Sequence, residues 1–185
     1  MSKPAKITIL CEDLQQACFV RRFLLNRGWT RGDIREPFRL GGGSGEQRVR
    51  EEYPRMLRAY RSKANHLRNG LVVVIDADTK PVAGRIRAFD AACDEQGVPR
   101  RRQDERVLYV IPKRNIETWL AYLRGEQVDE NRPDPYPKYK YESQCHAEVD
   151  KLDVMCKTGE LDPVPPPSLE LCCVEFQEFW RLLTK

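Results

Sequence analysis

Acidic residues follow three separate apolar runs of this chain. Glu12 comes directly after Ile7-Thr-Ile-Leu-Cys11, Asp76 and Asp78 directly after Leu71-Val-Val-Val-Ile75, and Glu117 shortly after Val107-Leu-Tyr-Val-Ile111, with Lys113 between. Carboxylates that converge repel one another, and they are tolerated best when a hard cation such as Mg²⁺ (or Mn²⁺) neutralises them. If Asp76 and Asp78 lie in extended chain, both side chains point to one side, because the strand period is two. That gives one or two ions a two-pronged grip. An ion held by Glu12, Asp76 and Asp78 can orient a phosphate and lower the pKa of an attacking water. Lys113 can offset charge developing on the phosphate, and Glu117 can ligate or position the metal. The competing reading is that Asp76 and Asp78 cap a turn and the next helix, while Lys113 and Glu117 only open a helix.

Such a site needs elements that bring the acids together. Lys6–Cys11 reads as a strand. Leu14–Arg27 has helical periodicity in Leu14, Ala17, Cys18, Val20, Phe23 and Leu24, with Asp13 as N-cap and Gly28 just past its end. Residues 34–40 read as a short second strand, weakened by Pro37. Gly41-Gly42-Gly43-Ser44-Gly45 is a loop, and 46–69 a long basic helix ended by Gly70. Residues 71–75 form a strand apolar throughout, as for one covered on both faces. Pro81 opens a helix to about Glu95. Residues 97–105 are a polar loop, 107–111 a strand stopped by Pro112, and 116–123 a helix. The alternation implies an α/β fold with a mostly parallel four-stranded sheet flanked by helices. The carboxyl ends of such strands share one edge, where ligands bind, and every acidic site above falls there. Residues 126–144, with Pro133, Pro135 and Pro137, read as a linker or strap. Residues 145–185 read as a helical extension packing on the domain formed by 1–125, with helices at 145–158 and 169–183 separated by the Pro-rich 163–167.

Ile9-Leu-Cys-Glu12 before a helix, then Val72-Val-Val-Ile-Asp76-Ala-Asp78, resembles the TOPRIM domain, the Rossmann-like catalytic domain of topoisomerases, bacterial primases and a group of nucleases. The resemblance covers roughly residues 5–123. In that family a Glu after the first strand and an Asp-x-Asp after the third bind Mg²⁺ together. Ile111-Pro-Lys113-Arg114-Asn115-Ile116-Glu117 resembles the last strand-to-helix segment of small stand-alone TOPRIM proteins and overcoming-lysogenization-defect-type nucleases, where a Lys and an acid complete the site. Two positions depart from the pattern. Asp13 stands where the family usually has Gly, and Gln16 where it often has an acid, which removes a candidate ligand for a second ion. The resemblance implies a metal-dependent endonuclease, with DNA weighed above RNA as substrate. It also implies an ATPase partner, since small proteins of this kind are often paired with ATPases in phage defence. So short a chain lacks the tyrosine-bearing gate domain of a topoisomerase and is small for a complete primase.

Charge placement agrees with a polyanionic partner. Residues 1–115 carry 24 Lys/Arg and 14 Asp/Glu, whereas 116–185 carry 8 and 14, so +10 faces −6. The basic part is mostly Arg, which suits bidentate phosphate contacts. Arg48, Arg55 and Arg58 can share a helical face with Arg61 near it, and Arg114 lies beside Lys113. These five are the candidate nucleic-acid contacts, against the plainer reading of a solvated face paired with Glu51 and Glu52. The Gly-rich loop lacks the Lys of a P-loop; its free N–H groups can cradle a phosphate, or it is a flexible turn. Seven Cys with no Cys-x-x-Cys read as buried, reduced thiols rather than a zinc site. The Lys6–Cys11 strand begins so early that no signal peptide is expected, and no apolar run reaches membrane-spanning length. A cytoplasmic protein is the expectation. Two other function classes stay open: a catalytically silent TOPRIM subunit binding nucleic acid or a protein, and a haloacid-dehalogenase-type phosphohydrolase with Asp76 as nucleophile.

Overall fold

The structure is a computed structural model that describes residues 5–37, 44–161 and 163–184, with backbone alone at 142 and 143. Four strands, β1 (Lys6–Leu10), β2 (Ile34–Arg35), β3 (Asn69–Val74) and β4 (Val107–Val110), form one sheet in the order β2-β1-β3-β4. Every pairing is parallel, with Ile7 opposite both Ile34 and Gly70, and Val73 opposite Tyr109. Helices α1 (Leu14–Asn26), α2 (Gly45–Ala64), α3 (Val82–Glu95) and α4 (Ile116–Leu123) alternate with the strands, and α5 (His146–Thr158) and α6 (Pro167–Thr184) close the chain. This is the α/β architecture expected from the alternation of apolar runs and amphipathic segments.

The period of two divides the strands between two cores. Ile7, Ile9, Val72, Val74, Leu108 and Val110 pack under α1, α4, α5 and α6, around Trp119 and Phe179. Leu71, Val73, Ile75, Val107 and Tyr109 pack under α2 and α3, around Tyr53, Leu57 and Phe89. Each fully buried aliphatic or aromatic side chain contributes roughly 1.5–3 kcal/mol of transfer free energy. Because α5 and α6 share the first cluster with β1 and α1, the C-terminal helices complete the core of the N-terminal part. Thiols lie in those seams. Cys18 Sγ is 3.9 Å from Cys145 Sγ and 3.6 Å from His146 Nε2, and Cys156 and Cys173 approach to 3.3 Å. Cys156, Cys172 and Cys173 are half-buried rather than buried as expected.

Several boundaries differ from the sequence expectation. The second strand is only two residues long; Glu36 and Pro37 have left the sheet, and 38–40 lie outside the described residues. The basic helix stops at Ala64 rather than at 69, and Gly70 does not terminate it. Asn69 and Gly70 already pair with Lys6 and Ile7 in β3. A Cβ on Gly70 would stand 2.9 Å from Phe179 Cζ and 3.0 Å from Ile7 Cδ1, so glycine here answers a close approach of α6 to the sheet.

Candidate active site at the carboxyl edge of the sheet

At the end of β1 the chain leaves the sheet through Cys11 and Glu12, and Asp13 caps α1 by accepting from the Gln16 N–H at 2.9 Å. The next links tie β1 to β3. The Glu12 N–H donates to Gln16 Oε1 at 2.9 Å, Gln16 Nε2 donates to Asp76 Oδ1 at 3.0 Å, and the Asp76 N–H donates to Glu12 Oε1 at 2.7 Å. Glu12 and Asp76 therefore project to one end of the sheet, closed into a ring by Gln16. The start of α2 lies against the same turn. Arg48 Nη2 donates to the Glu12 carbonyl at 2.6 Å, and a Cβ on Gly45 would meet Glu12 Cβ at 2.9 Å. Gly45 and Ser44 of the Gly-rich loop thus open a helix, with Ser44 as its N-cap, whereas 41–43 lie outside the described residues.

Asp78 departs from the extended Asp-x-Asp geometry. Its φ is +54°, a left-handed conformation that costs a non-glycine residue about 1–2 kcal/mol. The chain turns there, so Asp76 and Asp78 do not form the two-pronged grip of a strand. The Asp78 carboxylate instead accepts from Arg85 Nη2 at 2.8 Å. Arg85, only 3% exposed, also donates through Nε to the Asp76 carbonyl at 2.9 Å and pairs with Glu46 of α2. It is a buried cation bridging the ends of α2, α3 and β3.

After β4, Glu117 sits in the first turn of α4, 2% exposed, and its Oε1 has no hydrogen-bond partner. Lys113 donates its backbone N–H to Ser168 Oγ at 3.1 Å, and its ammonium makes no ion pair with the described carboxylates. The lysine that reaches the edge is Lys138 of the strap, whose Nζ lies 2.6 Å from Asp13 Oδ2. Arg114 donates to the carbonyls of Asp78 and Pro133 and so binds the strap to the edge. Of the other candidate phosphate contacts, Arg61 is spent on Glu105 at 2.6 Å and on the carbonyls of Pro99 and Arg100. Arg55 pairs with Glu52, and Arg58 donates to the Gln96 carbonyl at 3.3 Å. The helix face proposed to track a backbone therefore leaves only Arg55 and Arg58 exposed, beside α3 rather than at the carboxylates.

Electrostatics mark the same edge. Burial pushes the Asp76 carboxyl well above its ordinary range, and the charges of Glu12, Glu117, Asp13 and Asp78 push it further. Glu12 is raised by burial and by Asp78, against the opposing Asp76 N–H and Arg85. Glu117 is raised by burial, with Lys138 opposing. Among the described residues no three Asp, Glu, Cys or His side chains stand together as a ready cage for an ion. Each already has a partner: Gln16 donates to Asp76, Arg85 to Asp78, and the Asp76 N–H to Glu12. The donor chemistry nonetheless suits Mg²⁺ or Mn²⁺. All donors are hard carboxylate oxygens, their charge is incompletely neutralised, and one buried oxygen, on Glu117, is orphaned.

Reasoning on the sequence missed Lys138 and Arg85. Arg85 stands seven residues past Asp78, on the buried face of an amphipathic helix with Phe89, Ala92 and Cys93, where an arginine needs partners. The signal for Lys138 was its place among Tyr136, Tyr139 and Tyr141 in the strap. Compared with protein-family models, curated proteins and solved structures, the chain matches none. No helix among the described residues is long and apolar enough to cross a membrane.

Proposed function

We propose that the carboxyl edge is a TOPRIM-like, Mg²⁺- or Mn²⁺-dependent site that hydrolyses phosphodiester bonds in nucleic acid, as an endonuclease. The observation that supports it most is the ring that joins Glu12 and Asp76 through Gln16 at the ends of β1 and β3, with Glu117 near enough for its charge to act on Asp76. Glu12 and Asp76 would hold the ion, with Asp78 joining as it exchanges Arg85 for the metal. When bound, the ion neutralises charge on the scissile phosphate and makes a water more acidic. The chain's own residues do the rest. Gln16 orients Asp76, the Asp76 N–H fixes Glu12, and Arg85 keeps the β3–α3 turn closed. The +10 charge of residues 1–115 favours a polyanionic substrate. An ATPase partner and a cytoplasmic setting belong to the same reading.

The test is cleavage of plasmid, single-stranded DNA and RNA with Mg²⁺, Mn²⁺ or chelator, beside Asp76→Asn. Metal-dependent products from wild type and none from Asp76→Asn are expected. Cleavage that survives in chelator or in the variant would overturn the assignment. One observation favours a second reading, a catalytically silent nucleic-acid-binding subunit: Arg85 already supplies a cation to Asp78. Nucleic-acid binding with no turnover in either metal would select it.

A further inference from the structure

We propose that Lys138 is the phosphate-facing lysine of this site, and that the strap bearing it guides a single strand of nucleic acid past the carboxylates. This rests on the phosphodiesterase reading and names its substrate class.

The strap is fixed at regular intervals. The buried Glu130 carboxylate accepts from the Ser168 N–H at 3.1 Å, and the Pro133 carbonyl accepts from Arg114. The Tyr136 carbonyl accepts from Asn115 Nδ2 at 2.8 Å, and the Tyr139 hydroxyl donates to Glu148 at 2.9 Å. A turn at 129–132 and a bend at 133 and 134 lead into an extended stretch, 135–139, where Pro135 and Pro137 favour polyproline geometry with three residues per turn. Tyr136 and Tyr139 hold one side of that stretch to the start of α4 and to α5, which leaves Lys138 off that side, with Lys140 and Tyr141 next along the chain.

Lys138 reaches the acidic edge from this rail. Its ammonium pairs with Asp13, feels the charges of Glu117 and Asp76 as well, and has a side chain 65% exposed. A phosphate approaching the carboxylates from solvent meets this ammonium, and a strongly hydrated lysine on a flexible stem can exchange a carboxylate partner for a phosphate. Lys113, the lysine expected in that role, makes no such contact. Next along the strap, the Lys140 ammonium lies 5.2 Å from the Tyr141 ring centroid, and Tyr141 is 55% exposed. A cation beside an open aromatic face is a platform for an unstacked base, which a duplex does not offer.

The experiment measures binding without metal, in chelator, using labelled single-stranded DNA, single-stranded RNA and duplex DNA of one length across 50–200 mM salt. Wild type is expected to prefer the single strands. Lys138→Ala is expected to weaken that binding severalfold and to flatten the log–log salt slope by about 0.7, the loss of one single-strand phosphate contact, while Lys138→Arg retains the slope. Tyr141→Ala is expected to weaken single-strand binding about tenfold. Melting curves establish that each variant is folded. Wild-type affinity and slope in folded Lys138→Ala would overturn the role of Lys138 while leaving the phosphodiesterase reading standing. A preference for duplex would overturn the single-strand path. No binding of any nucleic acid by wild type would overturn both this inference and the reading beneath it.

Discussion

The two edges of the sheet treat charge in opposite ways. At the amino-terminal edge, acids are matched by cations. Asp33, just before β2, accepts from Lys6 at 2.7 Å and from Thr30, and these bonds hold its carboxyl down to about 2. Glu105, just before β4, is buried, which raises its pKa, yet two bonds from Arg61 and one from the Arg102 N–H outweigh burial and hold it below its usual range. At the carboxyl edge Asp76, Glu12 and Glu117 all shift upward. The same sheet thus holds these carboxylates down at one end and leaves Asp76, Glu12 and Glu117 raised at the other, the end where open parallel sheets commonly bind ligands.

The largest expected consequence is on activity. Asp76→Asn is isosteric and should lower metal-dependent cleavage at least about 10² to 10³-fold, the scale for losing one electrostatic element of a reacting centre; single-turnover assays check it. Next comes stability at the opposite edge. Arg61→Ala strands the buried Glu105 and should cost about 3 kcal/mol in denaturant unfolding, with cleavage per folded molecule unchanged. An equal loss of cleavage would erase the distinction between the edges.

The pH dependence separates the edges by sign. Folded-state pKa values above the unfolded ones mean that the native state binds more protons, so stability falls as pH rises. For Asp76, Glu12 and Glu117 that fall begins near the unfolded values of 3.8 to 4.5 and continues to their raised folded values. Metal-free Asp76→Asn should therefore be more stable than wild type at pH 7, with the gain vanishing as pH falls below the unfolded value of 3.8. For Asp33 the sign reverses: its contribution is present above 3.8 and is lost as pH falls toward about 2. Thermal melts of Asp76→Asn and Asp33→Asn beside wild type across pH 2 to 8 decide whether the slopes oppose. The smallest effect is expected from Arg55→Ala. The residue is exposed and paired with Glu52 on its own helix, so its loss should move stability by under about 0.5 kcal/mol. A larger loss would show that the basic helix does more than cover the sheet.

Much of the fold was legible because burial imposes simple periods. The apolar runs at 71–75 and 107–111 read as buried strands and are, the first central and the second at the edge of the sheet, and Ile116–Leu123 became a helix with the expected bounds. The acids at the strand ends were legible for the same reason, since strand direction alone puts Glu12 and Asp76 at one edge. What the sequence concealed depended on contacts between distant segments. Gly70 reads as a helix stop until Phe179, more than a hundred residues later, is seen against it. The turn at Asp78 is set by a left-handed backbone and by Arg85, neither of which a two-residue period can express. Lys138 lies 125 residues from its partner Asp13, and only the folded strap brings them together.

The proposed chemistry requires the carboxyl edge to accept a divalent ion. Crystals soaked in Mn²⁺ and measured for anomalous scattering test that directly. A single peak within coordination distance of Glu12 and Asp76 carboxylate oxygens, absent from Asp76→Asn crystals, is the predicted result. A map with no peak at this edge, while Mn²⁺ at the same concentration supports cleavage in solution, would contradict it.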